Sequence, residues 1–268
     1  MKNIAVILAG GKGSRMGVDI PKQFLTLPDG RTVLETCISA FHQNEHIDEI
    51  AVVMLQDHFE QARTLITGER YPKVRYWIPG GKERWESSLH AIEAINGSIN
   101  QSSIVPREAI ESSINHKSSI NGPIVNDISL LIHDCARPFI SQDLISRACL
   151  AMLTHTAATV AVPVTDTIYT IKYSPSKVEG VAPEETEASE TILDQVPPRA
   201  LFRRAQTPQC FRLSLMKKAF DLAMRDEERQ FTDDAQVVQR YLPEVEIHII
   251  PGEESNRKIT FAEDIQPA

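Results

Sequence analysis

Short apolar runs rich in β-branched residues alternate along this chain with longer stretches whose apolar positions recur every three or four residues. Ile4–Leu8, Glu49–Met54, Val74–Ile78, Ser129–His133 and Thr159–Val164 read as strands, mostly buried on both faces. Val33–Asn44, His58–Thr67, Glu86–Ile95, Ser141–Thr154 and Ser214–Arg225 read as helices. Ser141, followed by Gln142 and Asp143, fits a helix start, and Pro138 upstream fits the break before it. This alternation predicts an α/β fold, a mostly parallel sheet flanked by helices, in a single domain over residues 1–268.

Two segments leave that rhythm. Residues 97–126 are rich in Ser, Asn and Ile without a clear period, and are too long for an ordinary connection. They read as an irregular insertion. Over 168–196, Ile168-Tyr169-Thr170-Ile171-Lys172 alternates like a strand, an acidic stretch runs from Glu179 to Glu190, and Ile192-Leu193 precede Pro197-Pro198. Two strand-like arms around a polar tip predict a protruding β-arm. Because a lone hairpin is marginal in water, the arm is expected to pack against a second copy of the chain and make a homodimer.

Composition narrows the partners. A formal net charge of -8 excludes a general nucleic-acid binder, whose affinity rests on neutralising phosphates. Basic residues near the N-terminus must then form a local site, which suits a small anion. No apolar stretch reaches the length of a membrane span, and Met1-Lys2-Asn3 leads straight into a strand rather than a signal peptide. Cys37, Cys135, Cys149 and Cys210 are scattered, with no CxxC and no His at metal-ligand spacing, as expected of buried free thiols in a cytoplasmic protein.

The chemistry concentrates at the ends of the expected strands. LAGGKGSRMGVDIPKQFL, Leu8 to Leu25, follows the first strand and holds four glycines with Lys12, Arg15 and Lys22. Glycine lets backbone N–H groups turn towards a phosphate, and the cations add charge without acceptor groups, so the run predicts a nucleoside-triphosphate loop. It is no Walker A sequence, since Arg15 stands where GK followed by Ser or Thr would be needed. A dinucleotide fingerprint also fails, because Met16 falls where the third glycine belongs.

Further clusters follow other strands. Gly80-Gly81-Lys82-Glu83-Arg84-Trp85-Glu86-Ser87-Ser88 offers close backbone approach to a base or ribose; its plainer reading is a turn and helix cap. In His133-Asp134-Cys135-Ala136-Arg137-Pro138, a carboxylate at a buried strand end calls for a cation, a hydroxyl or a partner charge. A simple Asp134–Arg137 salt bridge would satisfy it. Asp166-Thr167 follows the fifth strand, Arg199 lies at the base of the arm near Arg203-Arg204, and Lys258 sits in Gly252–Thr260.

The strings LAGGKGSRMG…PKQF, GGKERWESS, HDCARP, AVPVTDT, QTPQCF, FTDDAQVV and GEESNRKIT occur in this order. Together they closely resemble the cytidylyltransferases that act on methylerythritol 4-phosphate, and their sisters that act on ribitol 5-phosphate or related polyol phosphates. The resemblance implies a Rossmann-like nucleotidyltransferase fold and transfer of CMP from CTP to a sugar-alcohol phosphate with release of pyrophosphate. It further implies that Leu8, Ala9, Gly10, Gly11 and Gly13 wrap the CTP phosphates, and that Gly80, Gly81, Arg84 and Ser87 read cytosine. Arg15, Lys22 and Lys258 would stabilise charge at the α-phosphate as the catalytic residues. Asp134 and Arg137 would face the acceptor and the metal-triphosphate region, with Mg²⁺ held mainly by CTP and Asp134 as its protein ligand. Thr167 and Arg199 would hold the acceptor's phosphate end, Arg199 in the neighbouring subunit's site.

Within that resemblance, Ala136-Arg137 and AVPVTDT lean towards methylerythritol 4-phosphate and isoprenoid precursors. Tyr241-Leu242-Pro243 and Pro251-Gly252-Glu253-Glu254 look more like the polyol-phosphate branch, which serves cell-surface polysaccharide. Two other classes stay open: a non-catalytic nucleotide-binding protein, and a sugar-1-phosphate nucleotidyltransferase using another base, which GGKERWESS and TDDAQVV fit poorly. Cys135 departs from the alanine usual at that position, and 97–126 has no counterpart in the family pattern.

Overall fold

Lys2–Leu8 (β1) holds a run of buried residues from Asn3 to Ile7 and is covered on both faces. In the computed structural model the described residues are 1–10, 20–102, 128–173 and 191–265. Alternate side chains of β1 serve two cores: Ala5 and Ile7 enter one, Ile4 and Val6 the other. Glu49–Met54 (β2) and Val74–Pro79 (β3) extend the sheet on one side of β1, and Ile128–Asp134 (β4) pairs on the other. All of these neighbours run parallel. The chain thus reverses its direction of spread between β1 and β4, where an open α/β sheet leaves a crevice beyond its strand ends.

The far half of the sheet adds Ala157–Pro163 (β5), Arg203–Arg212 (β8) and His248–Pro251 (β9), in the order β3-β2-β1-β4-β8-β5-β9. Strand β8 lies antiparallel between β4 and β5, while β9 pairs parallel with β5. The mostly parallel sheet is therefore as expected, with one antiparallel strand that the apolar pattern did not mark.

Val33–Gln43 (α1), Phe59–Leu65 (α2) and Gln142–Thr154 (α4) contribute to one core. Arg84–Ser102 (α3), Leu213–Ala223 (α5) and Asp234–Tyr241 (α6) contribute to the other. Caps fix several helix starts: Thr32 and Glu35 close a reciprocal capping box on α1, and the Ser141 hydroxyl accepts the Leu144 N–H on α4.

Helix α3 corrects one expectation. Residues 97–102, assigned to an irregular insertion, continue the helix; the rest of that segment lies outside the described residues. Leu89, Ile92, Ile95 and Ile99 keep one apolar stripe against the core across Gly97, whose cost in a helix is only about 1 kcal/mol. In the arm, Thr170–Tyr173 (β6) pairs antiparallel with Thr191–Gln195 (β7), and the tip between them lies outside the described residues.

Candidate active site

The C-terminal ends of the parallel strands meet beyond Leu8, Met54, Pro79 and Asp134. Leu8 lies opposite both Val53 and Asp134, and Met54 lies opposite Pro79. Past the last paired residues the backbone stays knitted: the Ala9 N–H donates to the Val53 carbonyl at 2.7 Å, and the Cys135 N–H to the Leu8 carbonyl at 3.0 Å. The Gly80 N–H donates to the Met54 carbonyl at 2.8 Å. Gly10 enters the glycine loop from this edge; Gly11, Gly13 and Arg15 lie outside the described residues.

At the crevice floor Asp134 draws two cations. Lys258 Nζ donates to Oδ2 at 2.8 Å, and Arg84 Nε to Oδ1 at 3.2 Å. Arg84 also donates to Oδ2 of the wholly buried Asp234 at 2.6 Å. Burial pushes the Asp134 carboxyl up, but the Arg84 and Lys258 charges outweigh it and hold the group well below the usual carboxylate range. Burial likewise disfavours the Arg84 charge, and Asp234 and Asp134 more than restore it. Asp134 and Arg84 therefore both hold their charges throughout the physiological range.

The sequence left a simple Asp134–Arg137 salt bridge open; the hydrogen bonding goes elsewhere. Arg137 donates to the Asn256 carbonyl at 2.9 Å and to the Ala205 carbonyl at 3.3 Å. It thereby ties the turn after β4 to the segment bearing Lys258. Lys22, in a 3-10 turn over Lys22–Phe24, donates to the Thr260 carbonyl at 3.0 Å, two residues past Lys258. Both expected catalytic lysines are thus organised by one stretch of chain. That stretch is clamped in turn. Ser141 and Arg147 both donate to Glu253 Oε1 at 2.8 Å, and Gln206 donates to the Glu253 carbonyl at 2.8 Å. Gly252 lies so near Gln206 that a Cβ there would stand 2.5 Å from its Oε1.

The Gly80–Ser88 cluster is partly structural. The Ser87 hydroxyl accepts the Gly81 N–H at 3.0 Å, and Glu86 Oε2 accepts the N–H groups of Lys82 and Glu83 at 2.6 and 3.1 Å. A Cβ on Gly81 would lie 2.2 Å from that of Glu86. The tight start of α3 thus demands glycine there, as the plainer reading held. The same turn brings Ser87 to the glycine loop, where a Cβ on Gly10 would stand 4.0 Å from its hydroxyl.

Thr167 and Arg199 stand apart at the base of the arm. Both are exposed, and Arg199 donates to the Thr165 carbonyl at 2.7 Å. Among the described residues no hydrogen bond or ion pair joins them to the Asp134 cluster. Asp234, Asn256 and Thr207 belong to the site framework and carried no assigned role in the sequence; their only signal was membership of FTDDAQVV, GEESNRKIT and QTPQCF. Among the described residues no three His, Cys, Asp or Glu side chains gather as a metal cage.

A sequence model of the family described as 2-C-methyl-D-erythritol 4-phosphate cytidylyltransferase matches residues 3–121 and 118–268. The enzyme of that name from Thermobifida fusca is 38% identical over 98% of this chain and 90% of its own length. A bifunctional ribulose 5-phosphate reductase/CDP-ribitol pyrophosphorylase of Haemophilus influenzae is 31% identical over 98% of this chain, which spans 47% of that protein. Among solved structures, the 4-diphosphocytidyl-2C-methyl-D-erythritol synthase of Anaerococcus prevotii superposes with a TM-score of 0.69 at 24% identity, over 98% of this chain and 92% of the other, a likeness of fold. The 2-C-methyl-D-erythritol 4-phosphate cytidylyltransferase of Thermus thermophilus gives 0.61 at 26% identity, over 97% and 94%.

Proposed function

Because this chain belongs to the 2-C-methyl-D-erythritol 4-phosphate cytidylyltransferase family, we propose that it transfers CMP from CTP to methylerythritol 4-phosphate, giving CDP-methylerythritol and pyrophosphate. The observation that carries this reading is the convergence of Lys258 and Arg84 on Asp134 at the β1/β4 crevice, with Lys22 held against the Lys258 segment.

The reaction needs an acceptor phosphate oxygen to form a bond to the α-phosphorus while the bond to the pyrophosphate oxygen breaks in line. The nucleophile is already an anion, so no general base is required. The barrier is repulsion between anions and the charge that builds on the transferring group, which positioned cations relieve. Lys22 and Lys258 supply that charge, with Arg15 from the glycine loop. Arg84, Ser87 and the glycines at 80 and 81 bind the cytosine side, with Leu8, Ala9, Gly10, Gly11 and Gly13 on the phosphates. Asp134 and Arg137 orient the acceptor. Thr167 and Arg199 receive its phosphate end, Arg199 from the partner's arm in a homodimer.

Mg²⁺ fits this site as a passenger of the triphosphate: a single carboxylate whose oxygens already meet two cations suits an ion bound mainly by phosphates. When bound, it neutralises phosphate charge and orients the leaving pyrophosphate. The four cysteines are free and buried and no described helix is long and apolar enough to cross a membrane, which supports a cytoplasmic enzyme.

The likeness to the CDP-ribitol pyrophosphorylase favours one second reading, ribitol 5-phosphate as acceptor. Pyrophosphate release is to be measured with CTP and each acceptor in parallel. A higher kcat/KM with methylerythritol 4-phosphate is expected; a preference for ribitol 5-phosphate moves the assignment, and turnover of neither removes both.

A further inference from the structure

We propose that His133 is a positioning residue for the reaction: its ring is the link between Thr207 and Arg137 that fixes the turn presenting Asp134. The proposal rests on the functional reading above for its effect on rate, though not for its geometry. His133 and Asp134 end β4, and the ladder between β4 and β8 stops at the pair Ile132–Gln209. Pro208, next on β8, has no N–H with which to continue it. A side chain takes over. The Asp134 N–H donates to Thr207 Oγ1 at 3.1 Å, and Thr207 Oγ1 lies 3.0 Å from His133 Nδ1. The other ring nitrogen, Nε2, lies 3.0 Å from the Arg137 carbonyl.

Only one arrangement of protons satisfies this chain. A carbonyl can only accept, so Nε2 carries the ring proton; Nδ1 of the neutral ring then accepts, and the Thr207 hydroxyl donates to it. Thr207 Oγ1 keeps a lone pair for the Asp134 N–H. Each hydrogen therefore points the same way, from Asp134 through Thr207 and His133 to Arg137. The Arg137 N–H closes the ring by donating to the Asp134 carbonyl at 2.9 Å. His133 is fully buried, with the Phe41 ring 4.9 Å away between centroids, so water cannot substitute for either bond. Thr207 carries the effect further: its carbonyl accepts from Asn256 Nδ2 at 2.7 Å, on the segment that holds Lys258.

The test compares His133→Phe, which removes both bonds, with His133→Asn and His133→Gln, which each keep a polar group near one of them. With CTP and methylerythritol 4-phosphate, His133→Phe is expected to lose about 10- to 100-fold in kcat, a cost typical of slight misplacement, while keeping the CTP-induced rise in melting temperature. The two polar variants should fall between it and the native protein, and they carry the test if the Phe variant does not fold. In an Asp134→Asn background the same substitutions should cost much less, because they act through that residue. Native kcat in the His133 variants, or an undiminished loss in the Asp134→Asn background, overturns the proposal. If the native protein turns over neither acceptor, the functional reading is what fails. Hydrogen exchange at the Asp134 amide then decides: faster exchange in the variants supports the link, and unchanged exchange overturns it.

Discussion

At the scale of single residues, the two site lysines make separable predictions. In the proposed mechanism neither holds cytosine, and each would meet the charge that builds as pyrophosphate leaves. Lys22→Ala and Lys258→Ala should each lower kcat by about a hundred- to a thousandfold, the cost of one preorganised charge, with CTP binding much less affected. Steady-state kinetics beside CTP melting shifts check this; near-native kcat in either variant removes its role. His133 predicts a pH effect on stability. Burial pushes its pKa from 6.5 down to about 4. The unfolded chain therefore takes up a proton first as pH falls, and stability drops between about pH 6.5 and 4, by ~3 kcal/mol in all. Asp134 acts in the same sense but lower on the pH scale: its lowered pKa confers stability above the ordinary value of 3.8, lost as pH falls below it. Denaturant midpoints from pH 7 to 4 should show the His133 slope, and His133→Asn should flatten it.

Elements divide by how their sequences advertise them. Strands β1, β2 and β4 were legible because they are apolar on both faces, α1 by its apolar period, and α4 because a cap precedes a clear stripe. Strand β8 hid itself. Its buried stretch from Gln206 to Phe211 includes Gln206, Thr207 and Gln209, polar groups that are affordable there only because each finds a hydrogen-bond partner. Pro208 further masks it as a strand. Helix α6 is short and polar outside, and its start is set by Asp233 accepting the Gln236 N–H, a contact no period reveals. The arm was legible in outline, as alternation around an acidic tip, and its strands leave Ile171, Ile192 and Leu193 about half exposed. Two strands alone are marginal in water, so those side chains favour a partner's surface. The native chain should sediment as a dimer at micromolar concentration, and a Leu193→Asp/Ile171→Asp variant as a monomer with reduced activity. A monomeric native chain under those conditions rules out the arm as a dimer contact.

For the molecule as a whole, the site is where separately legible pieces are joined by contacts that no local pattern specifies. The glycine loop, the Gly80 turn and the HDCARP turn were visible as polar clusters after apolar runs. Their convergence comes from strand order, since β1 and β4 become neighbours only because the chain reverses its spread at β1. Asp234 reaches Arg84 across 150 positions of sequence, and Lys258 reaches Asp134 across 124, so long-range packing alone could reveal those pairs. The same topology ranks local stability. Strands β1 and β4 lie inside the sheet with both faces covered, β8 joins the two halves, and β9 is a four-residue edge. Amide exchange should therefore be slowest in Ile4–Ile7, Leu130–Ile132 and Gln209–Phe211, approaching the rate set by global unfolding. Edge strand β9 should open more readily. In β6 and β7 the outcome depends on the partner: protection that fades on dilution is expected if the arm is buried between subunits, whereas fast exchange at every concentration leaves it in solvent. Fast exchange in β8 would mean that the two halves open independently, and that the Asp134–Lys258 pair across them is not held by a single cooperative sheet.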